Sequence, residues 1–120
     1  MSKEIKGCDL IVTIVKKGFS EQIIQASIKA GAKGGTVVFG RGTGIHEQKK
    51  ILGIPIEPEK EIVLTVVSKK QTDTILKAIT EAGELDKPGM GIGFVISLDR
   101  VTGMCHLLSD GTMLCKYWIN

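Results

Sequence analysis

The sequence predicts a single α+β domain made by duplicating one strand–helix–strand unit. Three observations carry this. The chain repeats itself without gaps at an offset of 52 residues, so that "LIVTIVKKGFSEQIIQASIKAGA" from Leu10 lies on "IVLTVVSKKQTDTILKAITEAGE" from Ile62. Each copy passes from a β-branched run to an amphipathic stretch and back to a β-branched run. A glycine- and proline-rich connection, "GRGTGIHEQKKILGIPIEPEK", separates the copies.

The elements follow in order. Leu10–Val15 and Ile62–Val67 are continuous β-branched runs, the mark of strands covered on at least one face. Ser20 and Thr72 stand where a hydroxyl can accept from the free N–H groups of a helix's first turn. Ile23, Ile24 and Ile28 form an apolar stripe on the first helix, and Ile75, Leu76 and Ile79 form its counterpart. Gly31 and Gly83 fall at the left-handed position that ends a helix. "GTVVF" (Gly35–Phe39) and "GFVIS" (Gly93–Ser97) then close each half as strands. Two such units give a four-stranded antiparallel sheet with both helices on one face, the ferredoxin-like βαββαβ sandwich.

The boundaries expected are one domain over residues 1–120, with repeat halves at about 8–40 and 60–98 and the long connection at about 41–59. A C-terminal hairpin is expected at about 104–118, around the Asp110-Gly111 turn. It either extends the sheet or docks on a neighbouring subunit. The long connection reads as a β-ribbon extension or as a binding loop, since small domains rarely keep long connections that do nothing.

Composition narrows the function. The 16 basic and 13 acidic residues leave a net charge of +3, spread over lysine pairs rather than a basic run. With aromatics at 4%, the stacking platform of a nucleic-acid binder is missing, and only Phe39 and Phe94 could serve a ferredoxin-like RNA-binding domain. No apolar run reaches the roughly 20 residues of a membrane span. The charged N-terminus "MSKEIKGCD" carries no signal-peptide core, and three cysteines without CxxC spacing fit a reducing compartment; the expected location is cytoplasmic. His106 opposite Cys115 makes at most half of a zinc site, so no metal is expected. Cys8 and the histidines lack the context of an activated nucleophile, and no catalytic residue is assigned.

Two glycine clusters remain, "GRGTG" and "GMGIG". A dinucleotide fingerprint needs strand, glycines and then a helix. The first cluster runs into a polar stretch with prolines and the second into a strand, so neither qualifies, and no Walker loop is present.

With "GAKGGTVVFGRGTG" before the long connection, "KEIVLTVV" after it, and "KPGMGIGFVI", the chain resembles the PII family of signal-transduction proteins over residues of about 8 to 105. The resemblance implies a regulator rather than an enzyme. It implies a homotrimer of ferredoxin-like subunits that binds ATP or ADP between subunits, often with Mg²⁺ and 2-oxoglutarate. The long connection would be the T-loop, which acts through residues 42–58 on a transporter or a metabolic enzyme in nitrogen or carbon metabolism. Gly89 and Gly91 match the glycines of the family's second loop, the B-loop, and Lys60 matches a basic position at the T-loop exit. Met90 stands where the pattern has aspartate, and Ile92 where it has the phosphate-binding lysine. The T-loop has no tyrosine to accept a uridylyl group. The ligand-binding residues expected are therefore Gly40, Arg41, Gly42, Thr43, Lys60, Lys87, Gly89, Met90, Gly91 and Arg100. The ligand expected is ADP, AMP or another small anion such as bicarbonate, with ATP disfavoured by Ile92. A structural trimer with a decayed nucleotide site is the alternative.

Overall fold

The computed structural model describes residues 4–45, 49–56 and 58–103; the expected C-terminal hairpin lies outside them. The chain runs β1 (Glu4–Ile5), β2 (Cys8–Lys16), α1 (Ser20–Lys29), β3 (Thr36–Arg41), β4 (Lys49–Ile51), β5 (Ile54–Ile56), β6 (Glu59–Ser68), α2 (Thr72–Gly83), β7 (Gly91–Leu98) and β8 (Val101–Thr102). The main sheet is antiparallel in the order β3-β6-β2-β7, the ferredoxin-like arrangement that the repeat predicts. At its centre the two repeat strands pair from Cys8↔Ser68 to Lys16↔Lys60. A β1–β8 ribbon and a β4–β5 hairpin complete the strands. The hairpin lies within the long connection, and its turn residues Leu52 and Gly53 both have left-handed φ, as tight hairpin turns require.

Side-chain alternation gives the sheet two different faces. One carries Ile11, Val15, Val63 and Val67, with Thr13 and Thr65 fully buried among them; Ile23, Ile75 and Ile79 of the helices close this core. The other face is also apolar. Val38, Ile62, Ile14 and Ile92 form one cross-strand row, Leu64, Val12 and Phe94 the next, and Val66, Leu10 and Ile96 a third. No element among the described residues covers it, and Val38, Ile92, Phe94 and Ile96 are exposed.

The helix ends depart from the expectation. Ser20 and Thr72 are the first helical residues, and the N-cap residues Phe19 and Gln71 make no side-chain cap. The contacts that hold both helix starts come from the opposite repeat. Glu61 Oε1 of β6 accepts the N–H groups of Gly18 and Ser20 at the start of α1, at 2.9 and 3.0 Å. Asp9 of β2 accepts the Thr72 hydroxyl of α2 at 2.7 Å and pairs with the Lys69 ammonium. Asp9 and Glu61 are themselves repeat equivalents, as are Ser20 and Thr72, so each half holds the other's helix.

At the other helix ends, α1 closes as a Schellman motif, with Gly31 at φ +121° and the Ala32 N–H donating to the Ser27 carbonyl. In α2 the left-handed residue is Glu84 at φ +50°, not Gly83. Gly83 is the last helical residue, and a Cβ there would come within 2.8 Å of Ile23 Cδ1 on α1, so helix packing is what asks for glycine. Ile28 is also not core: it is exposed, and the buried residues of α1 are Ile23 and Ser27, one turn apart.

Lys69 and the Thr72 hydroxyl lower the Asp9 pKa, and the hydroxyl and amide of Ser20 lower that of Glu61. A lowered folded-state pKa means stability that is present above the unfolded carboxylate range, roughly pH 4, and lost as pH falls through the folded value. Urea unfolding should therefore show stability falling below about pH 4. Asp9→Ala and Glu61→Ala should each cost about 1–2 kcal/mol at pH 7 and flatten that acid limb. An unchanged acid limb in both variants would contradict the assignment.

Candidate functional site

The long connection leaves and rejoins the sheet as a paired stem. Gly40 lies opposite Lys60 and Arg41 opposite Glu59, and the Gly42 N–H donates to the Pro58 carbonyl at 3.2 Å. Beside this stem is a cleft of about 540 Å³ lined by Lys17, Phe39, Gly40, Arg41, Glu59 and Lys60. The pleat puts Phe39, Arg41 and Glu59 on the helix-side face, with Phe39 72% exposed. Lys60, paired with Lys16 on β2, belongs to the opposite face. Lys17 Nζ meets Glu59 Oε2 at 2.8 Å. Lys17 holds the Glu59 carboxyl below its usual range, with Arg41 adding to the effect, and Glu59 raises the Lys17 pKa. Four cations thus gather at this end of the sheet: Lys16, Lys17, Arg41 and Lys60. Of the two nearby carboxylates, Glu61 is committed to α1.

The glycine loop lies between α2 and β7. The Lys87 N–H donates to the Glu84 carbonyl at 3.0 Å, the Met90 N–H to the Lys87 carbonyl at 3.3 Å, and Lys87 Nζ pairs with Glu84 at 2.7 Å. Gly89 has φ +81° and Gly91 φ +140°. A Cβ on Gly91 would sit 2.4 Å from the Ile14 carbonyl oxygen. That glycine is required by the approach of β7 to β2, whatever binds nearby. Ile92 pairs with Ile14 in the open apolar face and is 56% exposed.

The structure divides the expected site residues into three groups. Gly40, Arg41, Gly42, Thr43 and Lys60 gather at the β3 edge, where the Thr43 hydroxyl donates to the Gly44 carbonyl at 3.4 Å. Lys87, Gly89, Met90 and Gly91 lie at the same end of the sheet but on the β7 edge, three strand spacings or about 14 Å away. Arg100 lies beyond the far end of β7, more than about 20 Å from Gly91, and pairs there with Glu4 at 3.2 Å. Lys16, Lys17, Phe39 and Glu59 join the site without having been expected. The repeat offers a signal for one of them, since Lys17 is the counterpart of Lys69.

Cys8 is buried, and burial raises its thiol pKa, which makes it a poor nucleophile. Among the described residues, no three His, Cys, Asp or Glu side chains converge as a metal site would require. His46, Cys105, His106 and Cys115 lie outside them. No helix among the described residues is long and apolar enough to cross a membrane.

The family model described as "Nitrogen regulatory protein P-II" matches residues 8–104. Among solved structures, "Crystal Structure of Arabidopsis thaliana PII bound to citrate" aligns with a TM-score of 0.62 at 24% identity. The alignment covers 78% of this chain and 79% of that one, a likeness of fold. Comparison with curated protein sequences finds no match.

Gly91→Ala should destabilise the fold by about 2 kcal/mol or more in urea titrations, because it forces both a left-handed backbone and a clash with β2. Gly18, at φ +95° with nothing within 4 Å of an added Cβ, should tolerate alanine at the cost of φ alone, about 1 kcal/mol. Equal losses at the two positions would show that the close approach at Gly91 is not what demands glycine.

Proposed function

The chain belongs to the nitrogen regulatory protein P-II family, and on that premise we propose that it is a cytoplasmic, homotrimeric, non-enzymatic sensor of a small anion. The observation that carries this reading is the placement of the candidate groups. The loop stem, with Arg41, lies on one edge strand and the glycine loop, with Lys87, on the other, at the same end of a sheet whose second face is apolar and uncovered. Within one chain two strands separate the groups. Copies that pack these open faces together bring the β3 edge of one against the β7 edge of the next. One ligand then meets Arg41 of one copy and the glycine loop of its neighbour.

The chemistry favours a ligand of modest charge. Ile92 supplies no cation to the glycine loop, so the positive charge comes from the stem side. Backbone N–H groups around Gly89 and Gly91 can form an anion nest, which is weaker than a charged contact. ADP, AMP, bicarbonate or a small carboxylate such as citrate suits this balance better than ATP does. The ligand acts by favouring one arrangement of the loop over another, and the loop carries the signal to a protein target through residues 42–58.

Size-exclusion chromatography with light scattering should give the mass of three chains, and Phe94→Glu, which puts a charge in the open face, should dissociate the assembly. A wild-type monomer would contradict the reading. In a thermal-shift panel of ATP, ADP, AMP, 2-oxoglutarate, bicarbonate and citrate, a true ligand at 100 times its Kd should stabilise by about 2.7 kcal/mol. Arg41→Ala should weaken that ligand at least tenfold, and no shift from any compound would leave the trimer as a scaffold only.

A further inference from the structure

The two repeats treat one ion pair differently. In the second half, the Lys69 N–H donates to the Gly7 carbonyl at 2.9 Å, and the Lys69 ammonium pairs with Asp9. In the first half, the Lys17 N–H donates to the Glu59 carbonyl at 3.4 Å, the equivalent backbone bond. Glu59 is the repeat counterpart of Gly7, so only this half has a carboxylate at that position. The Lys17 ammonium pairs with Glu59, while Glu61, the counterpart of Asp9, is taken by the amides of α1. Accessibility differs too: the Asp9 side chain is 10% exposed and that of Glu59 54%. One half has a permanent structural ion pair, and the other has an accessible pair in the cleft beside Arg41.

We propose that Glu59 is the resident counter-ion of this cleft, and that a small polyanionic ligand, phosphate or carboxylate in kind, displaces it to pair with Lys17 and Arg41. The inference rests on the anion-sensor reading above and adds to it a cation, Lys17, and an internal competitor, Glu59. Glu59 also opens β6 at the point where the loop rejoins the sheet. Exchange of partners at Lys17 therefore alters the stem that both ends of the loop share.

The pair is well suited to exchange. Exposed ion pairs contribute little, so a ligand that offers two or more negative charges can replace a single carboxylate without a large penalty. The buried counterpart at Asp9 cannot be exchanged so readily, because removing one partner leaves buried polar groups unpaired.

Isothermal titration of the full chain with inorganic pyrophosphate and with tricarballylate, at constant ionic strength, tests this. Glu59→Gln should tighten the binding of the preferred probe about threefold to fivefold, the range of one exposed ion pair. Lys17→Ala should weaken it by at least as much. Glu81→Gln, which changes net charge equally but on the outer surface of α2, should leave it unchanged. Preference for one probe identifies phosphate or carboxylate as the chemistry recognised. If the wild type binds and Glu59→Gln has no effect or weakens binding, the counter-ion role is overturned while the sensor reading stands. If neither the wild type nor Glu59→Gln binds either probe, the proposal falls, and the adenine-nucleotide and bicarbonate arms of the thermal-shift panel then decide the sensor reading separately.

Discussion

The antiparallel pairing of β2 with β6 is the constraint on which the rest of this structure depends. It joins the equivalent strands of the two repeats from Cys8↔Ser68 to Lys16↔Lys60. Because the strands run in opposite directions, an acid near the start of each lies beside the helix that follows the other. Glu61 reaches the amides of Gly18 and Ser20, and Asp9 reaches Thr72 and Lys69. Neither helix is held by its own N-cap residue. The halves are therefore tied together by exchange as well as by the core, and separating them would cost α1 its Glu61 cap and α2 its Asp9–Thr72 bond.

The same pairing decides where function can be placed. It puts β3 and β7 at the two edges and turns both repeats' second set of apolar side chains onto one open face. The loop stem and the glycine loop consequently share one end of the sheet without meeting. Duplication alone would make the halves alike. The long connection breaks the likeness, and it does so at Glu59, which gives Lys17 a carboxylate partner at the position where Lys69 meets Gly7.

Much of this architecture was legible in the sequence, because the 52-residue offset reports strands and helices through apolar periodicity, which is a local signal. What was not legible depends on distant contacts. Ser20 and Thr72 look like caps, yet their partners Glu61 and Asp9 lie 41 and 63 residues away. Gly83 looks like a helix terminator, but it serves the approach of α1, and the left-handed conformation moved to Glu84. Ile28 fits the helical stripe, but Ser27 is the residue that packs. In the site, Arg41 and Lys60 lie one register position apart across the stem, but the pleat sends them to opposite faces. Arg100 was expected in the site from its place near the end of the last core strand, and β7 carries it to the far end of the sheet. Lys17 and Glu59 belong to no motif and come together only through folding.

We propose that the ligand site is completed between copies. Subunit mixing tests it most directly, by measuring ligand binding after co-refolding Arg41→Ala chains with Lys87→Ala chains. Each homo-oligomer should bind weakly. Mixed oligomers should recover wild-type affinity at a fraction of their sites, because an intact stem then faces an intact glycine loop. Affinity that stays weak in verified mixed oligomers would place both residues in one chain's own site and contradict the claim.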